Sequence, residues 1–313
     1  MNDRVLVFLC TVLLTSILSA CNKNDVEDKL AEEARALDDY IAEKYGDKAI
    51  KFGGGAYLIK TYEDEEGAII EASNHILWNW SLVNHITKMP EYTSDFTSVK
   101  FPKSYVDGGP EIYPVLSTIL DKGLVLMRKG ERGRIYIPSS LLNRDFHPRV
   151  YSFDIVDVID DLKKYQEDLM YGYIEKKCKG AVADTIPKVV STADNKEHNV
   201  MYHIMEQGDG DAITNSMSIQ TTTTVSYMIR DDDVRSVVPV VVPDNTWTTG
   251  GTFTTLTKTN CVGEILTKMN KGGKVVVGMP SRLFWEDDKL PLNDVYQYYI
   301  PKLSVVIFTI TIK

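Results

Sequence analysis

Cysteine, histidine and positive charge are all in short supply in this chain. The five histidines, His75, His85, His147, His198 and His203, include no pair at helical metal spacing and no His-Glu-x-x-His, and no cysteine sits beside them. That excludes the common zinc arrangements and leaves the histidines as surface or core residues. Lys and Arg number 35 against 44 Asp and Glu, a net charge of −9. A protein that tracks a phosphate backbone wants the opposite sign and a basic stripe, so nucleic acid is not an expected partner. A Gly-x-Ser-x-Gly elbow and a phosphate loop are also missing; Gly53-Gly-Gly55 has no Lys-Ser/Thr after it and reads as a turn. Asp231-Asp-Asp233 could offer oxygens to calcium, but such a run is far more often a solvated hairpin tip. No cofactor and no metal are expected.

What the chain does have is size. Its 313 residues, 43% of them hydrophobic, suffice for two ordinary domains with a core each. The first residues stand apart: Arg4, an apolar run from Val5 to Leu14, then Leu18-Ser19-Ala20-Cys21. The run is too short to span a bilayer comfortably, and small residues ahead of a Cys resemble a bacterial lipoprotein signal. On that reading residues 1–20 are removed and Cys21 becomes an acylated anchor in a lipid membrane. Residues 21–28 are then a polar tether, and the protein is exported to the outer membrane, on its periplasmic face or the cell surface. An ordinary secretory signal or an uncleaved anchor is the competing reading. Only Cys178 and Cys261 are then left to pair; free thiols are the expectation and a disulfide the alternative.

One stretch is written twice. Met127-Arg-Lys129-Gly130 leads through Ile135-Tyr-Ile137 to Pro138-Ser139-Ser-Leu141, and 142 positions later Met269-Asn-Lys271-Gly272 leads through Val275-Val-Val277 to Pro280-Ser281-Arg-Leu283. Each copy reads as helix end, glycine turn and a strand halted by proline. A Tyr-Ile pair also recurs, Tyr40-Ile41 and Tyr173-Ile174, inside segments with apolar residues at helical spacing. Each repeat therefore opens with a helix, the first ended by Gly46 and the second near Gly180. Strands are predicted at Ala56–Tyr62, His75–Val83, Tyr151–Val158, Asn199–Met205, Ser216–Ile229, Val237–Val242, Lys274–Met279 and Leu303–Ile312, with a short helix inside 117–128. The polar stretch from Ala181 to Glu197 is predicted to be a hinge.

Val200-Met-Tyr202 with Gly208-Asp-Gly210, Val225-Ser-Tyr227, the two Met-x-x-Gly units with Pro eight residues after the Gly, and Ile300-Pro301 with Phe308 resemble the FKBP-type peptidyl-prolyl isomerase family. In the first repeat Ser152-Phe153-Asp154-Ile155 is similar to the family's Val-Phe-Asp-Val. The resemblance covers most of residues 50–158 and 197–313. It implies an α+β fold of two FKBP-like domains, each a bent antiparallel sheet wrapped on a short helix and preceded by an N-terminal helix. The implied bounds are 29–159 and 197–313, with a connecting helix and linker at 160–196. A lipoprotein carrying two such domains is similar to chains from Bacteroidetes-like bacteria.

Rotation about an X–Pro bond faces a barrier of ~18–20 kcal/mol. No nucleophile or metal is needed to lower it. An apolar, aromatic-lined pocket suffices if it strips water from the carbonyl and binds the twisted amide better than either planar form. Matched motif to motif, the resemblance makes Tyr227, Trp285 and Phe308 the catalytic wall of the second repeat and Ile300 a binding residue. In the first repeat it gives Trp80 and Phe153 binding roles and puts Asn143 where the second has Trp285. The family's Phe-Asp after the Tyr strand is absent from both, with Tyr92-Thr93 and Val237-Val238 there instead. The Val-Ile-x-Gly-Trp turn is likewise replaced, by Leu116-Ser117 and Lys258-Thr259. Two functions stand side by side. One is a membrane-anchored protein that binds proline-containing or unfolded polypeptide and isomerises X–Pro bonds through its second domain; the other is a non-catalytic binding or scaffold lipoprotein.

Overall fold

The computed structural model describes residues 25–84, 90–93, 111–115, 118–190, 196–214, 217–231, 240–248, 261–284, 289–291, 297–299 and 303–313. It is α+β, with two large antiparallel sheets and few helices. By spatial contact the chain divides into two compact units. Unit 1 takes described residues up to Ala72, those between Trp80 and Tyr92, and those between Leu116 and Asp154; unit 2 takes the rest.

In the first half, helix α1 (residues 25–45) is followed by strands β1 (Ala49–Phe52), β2 (Ala56–Tyr62), β3 (His75–Asn84), β4 (Pro90–Thr93) and β5 (Glu111–Pro114). Helix α2 (Ile119–Leu124) and strands β6 (Arg132–Ile137) and β7 (Arg149–Ile159) complete it. The sheet runs β1-β2-β6-β7-β3-β4, with β5 paired to β3. Alternation along the strands sends Tyr57, Ile59 and Tyr136 to one face, where with Val150 they bury Leu37 and Ile41 of α1. The other face carries α2, whose Gly123 lies against Ile135 and Phe52. A capping box starts α2: the Asp121 amide donates to Thr118 Oγ1 at 3.3 Å and the Thr118 amide to Asp121 Oδ2 at 2.8 Å.

The second half repeats the plan with helices α3 (Leu162–Lys177), α4 (Cys261–Leu266) and α5 (Ser281–Phe284). Its strands are β8 (Asp184–Val190), β9 (Glu197–Glu206), β10 (Ser218–Met228), β11 (Val240–Thr248), β12 (Lys274–Pro280) and β15 (Val305–Ile312), with a separate hairpin of β13 (Lys289–Pro291) and β14 (Gln297–Tyr299). The main sheet runs β11-β10-β15-β12-β9-β8. Leu169, Met170 and Ile174 of α3 pack on Met228, Val276, Val305 and Ile307 on one face. Val262, Ile265 and Leu266 of α4 bury the other face with Tyr202, Val225, Val277 and Phe308. Cys178 belongs to the α3 face and Cys261 to the α4 face, and they form no disulfide. No helix of the described residues is long and apolar enough to cross a membrane.

Position for position, β1-β2-β6-β7-β3-β4 matches β8-β9-β12-β15-β10-β11. The doubled motif sits at the same place in both sheets. Met127 and Met269 are each 1% exposed, and their amides donate to Leu124 O at 2.9 Å and Leu266 O at 3.1 Å. Gly130 and Gly272 turn with φ 85° and 84°, values that favour glycine. Ile69 bridges Arg128 as Ala212 bridges Asn270. The duplication is thus architectural.

Two sequence expectations are corrected. Residues 184–190, predicted as part of a hinge, are the edge strand β8, because Ile186 buries its side chain in the α4-side core and pairs with Val200. Pro187 is tolerated there: the register shifts between Ile186 and Val189, with Lys188 at φ 57°. Strand β11 extends beyond the predicted end at Val242, to Thr248. It runs on through Pro243 and Asp244, which the pairs with β10 skip as a bulge on an edge strand.

A third glycine limits how closely α3 can pack. A Cβ at Gly278 would fall 3.0 Å from Met170 Cγ and 3.2 Å from Ile307 Cδ1. Gly278→Val is therefore expected to lower stability by about 1–3 kcal/mol. A fall in the urea midpoint at unchanged m-value would show it.

Candidate functional site

The α4-facing side of the second sheet gathers the predicted aromatic residues. Val225 stands opposite Phe308, Phe308 opposite Val277, and Val277 opposite Tyr202, so the four form one row across β10, β15, β12 and β9. Directly opposed residues share a face, which makes Tyr227, opposite Val306, a diagonal neighbour of Phe308 on that side. Tyr227 is 3% exposed and Phe308 0%. Burial alone pushes the Tyr227 phenol well above its ordinary pKa, and no hydrogen bond to a described group offsets it. The hydroxyl therefore stays protonated at physiological pH. A protonated phenol in a wall of Val, Ile and Phe is a donor that can serve a carbonyl from which water has been removed.

Two polar features share this side of the sheet. Thr221 and Thr223, both 0% exposed, bring their hydroxyls to 3.2 Å. As a sequence the threonine run shows only its β-branched character; the alternation that turns these two inward appears once the register of β10 is fixed. The Tyr202 hydroxyl accepts from Lys268 Nζ at 2.9 Å, with the ammonium 5.0 Å from the ring centroid. That bond raises the Lys268 pKa.

Trp285, Ile300 and Cys21 lie outside the described residues, as do Val237-Val238, Leu116-Ser117 and Lys258-Thr259. The structure thus brings together Tyr227 and Phe308 of the expected wall. In unit 1, Trp80 is half-buried with its ring centroid 6.3 Å from that of Tyr151, and Phe153 is buried opposite Gly133. Asn143 is exposed and donates from Nδ2 to Asp145 Oδ2 at 2.9 Å, so a polar turn occupies the position that Trp285 holds in the other repeat.

No protein-family model and no curated protein matches the chain. Among solved structures it is similar to FkpA from Escherichia coli, at 16% identity over 51% of this chain and 74% of that one, with a TM-score of 0.35. It is similar to a peptidyl-prolyl cis-trans isomerase from Pseudomonas syringae at 17% identity over 42% of this chain and 95% of that one, TM-score 0.33. The three FKBP domains of wheat FKBP73 match 83% of this chain and 94% of their own at 10% identity, TM-score 0.26.

Away from this face, a phenol cluster fastens α1 to unit 1. The Tyr45 and Tyr136 hydroxyls share a hydrogen bond of 2.7 Å, and Lys44 Nζ donates to Tyr40 OH at 2.7 Å. Burial, then the bond to Tyr45, raises the Tyr136 pKa. Burial also acts to raise Tyr45, but hydrogen bonds with Tyr136 and Arg134 and the Lys44 charge outweigh it and leave that phenol lowered. Every polar tip is engaged within the cluster, so it acts as a clamp. Among the described residues no three His, Cys, Asp or Glu side chains converge as a metal site would require.

Proposed function

We propose that the chain is a membrane-anchored, FKBP-like protein of two domains, 29–159 and 197–313, that binds proline-containing or unfolded polypeptide and isomerises X–Pro bonds through the second. The observation that carries this reading is the Tyr227 phenol. It is buried on the sheet face that wraps α4, beside Phe308, and has no hydrogen bond to a described group. A phenol on this face whose hydroxyl bonds to no described group can donate to a substrate carbonyl brought against it. Cys21 provides the acyl anchor and the outer membrane the location; loss of labelled palmitate and of membrane partitioning in Cys21→Ala tests both.

A protease-coupled isomerisation assay on a short X–Pro peptide decides the activity. The wild-type chain is expected to accelerate the reaction, and Trp285→Ala and Tyr227→Phe to slow it while the chain stays folded. Rates equal to the uncatalysed one would remove the enzymatic reading. A second reading, a non-catalytic scaffold, has its own observation: Phe308 is 0% exposed and packed among α4-side core residues. On that view the aromatic face is core in full, and the assay shows no acceleration.

A further inference from the structure

Unit 1 carries an open cleft of about 510 Å³, within the range of ligand sites. Ala34 and Asp38 of α1 form one side, Lys51 of β1 and the Gly53-Gly-Gly55 turn another, and Pro138 and Ser140 the end. The cleft opens beside β1, the edge strand of its sheet, which among the described residues pairs with β2 alone. Ile50 on β1 is 41% exposed. Apart from the turn bond accepted by Phe52 O and the Ala49 amide's bond to Gly46 O, no backbone hydrogen bond outside the ladder reaches β1 among the described residues.

The duplicated half handles the same edge differently. Its counterpart β8 carries Pro187, which lacks an N–H, and a register shift with Lys188 at φ 57°. These are devices that stop an edge from accepting another strand. Strand β1 has neither. The helices differ as well. With Ile41 matched to Ile174, α3 has Glu167 and Tyr171 where α1 has Ala34 and Asp38, and Glu167 is tied to Asn199 Nδ2 at 2.8 Å. In unit 1 small side chains leave that space open. The glycine turn, with φ of 55°, 89° and 119°, borders it with bare main chain.

The chemistry of the cleft selects the occupant. Asp38 accepts from Tyr57 OH at 2.6 Å and from Lys51 Nζ at 3.2 Å, so its carboxylate is neutralised within the wall. Donors and acceptors are both present and no net charge is left to attract a phosphate or a carboxylate. An uncharged chain of amides fits both the cleft and the free edge. We propose that the β1 edge and the adjoining cleft bind an extended, uncharged polypeptide segment through its main chain, adding it to the first sheet as an extra strand. This site needs no proline and is separate from the X–Pro face of unit 2.

The test uses the full chain and a fluorescein-labelled, end-capped peptide of alternating threonine and valine, followed by anisotropy. Saturable binding is expected, and the same peptide N-methylated at alternate residues should not bind, because it lacks the donors a ladder needs. Ala34→Trp, which fills the cleft, and Asp38→Tyr, which copies α3, should each weaken binding at least about tenfold. Ser140→Trp replaces Ala34→Trp if far-UV circular dichroism shows the latter unfolded. Absence of binding by the parent chain, equal binding of the methylated peptide, or undiminished binding by folded variants would each overturn the proposal. Because the peptide contains no proline, none of these outcomes depends on the isomerase assay.

Discussion

Glu131→Ala is expected to cost unit 1 about 3–5 kcal/mol, the penalty for breaking a buried ion pair from one side. Glu131 is 1% exposed as a residue, and its carboxylate holds three partners together. Lys60 Nζ lies 3.0 Å from both oxygens, the Arg128 amide donates at 2.8 Å and the Asp64 amide at 3.4 Å. Alanine would leave the Lys60 ammonium, whose side chain is only 16% exposed, without a counter-charge, and would strip an acceptor from the turn that carries Gly130. Glu131→Gln should cost less, since its carbonyl can still take the Arg128 amide. The position has no equivalent in the other repeat. Gly273 stands there, and main chain closes the corner instead, with the Asn270 amide on Gln207 O at 2.9 Å and the Gly210 amide on Lys271 O at 3.1 Å. Urea unfolding followed by circular dichroism checks the figure. A loss below about 1 kcal/mol, the range of exposed pairs, would show that water reaches the pair and that the carboxylate is not a structural centre.

That contrast shows what a sequence can and cannot disclose in a duplicated chain. The Met-x-Lys-Gly to Pro-Ser-Leu copies are legible because local geometry forces their residues. A positive-φ turn favours Gly130 and Gly272, and a strand that must stop at the same corner favours Pro138 and Pro280. Helix α1 and α3 are legible through their apolar spacing, since each buries a single stripe on its own sheet. Strand β8 is hidden because an edge strand needs only one buried side chain, here Ile186, and its polar remainder has the composition of a linker. Strand β1 is hidden by its length of four residues. The aromatic face was legible in part: the register of β10 against β15 does set Tyr227 beside Phe308, a pairing that depends on strands some eighty positions apart and that no local pattern contains. The cleft was not legible at all. It is defined by the small size of Ala34 and the bareness of Gly53-Gly-Gly55, and a residue's smallness signals a space only when its neighbours are known.

Phe308→Ala is expected to lower stability by about 3–5 kcal/mol, the range for removing a buried aromatic side chain. The ring lies at 0% exposure in the middle of its sheet, opposed by Val225 on one side and Val277 on the other, so its removal leaves a space inside a close-packed face. Alanine alone does not separate core from pocket wall, because both roles lose the same packing. Phe308→Leu does. It keeps most of the volume and should cost less than about 1.5 kcal/mol, leaving a folded chain in which the flat aromatic surface is gone. If Phe308 forms part of a wall that meets a twisted X–Pro amide, the leucine variant keeps its thermal midpoint close to the parent's and loses acceleration in the protease-coupled assay, as Tyr227→Phe should. If Phe308 is core only, Leu leaves any acceleration as it was, and activity follows stability across the alanine and leucine pair. Tyr227→Phe sharpens the comparison, because the hydroxyl it deletes has no hydrogen bond to a described group. Its removal should leave the fold as stable as before or slightly more so, and a lower isomerisation rate would then trace to the lost donor alone.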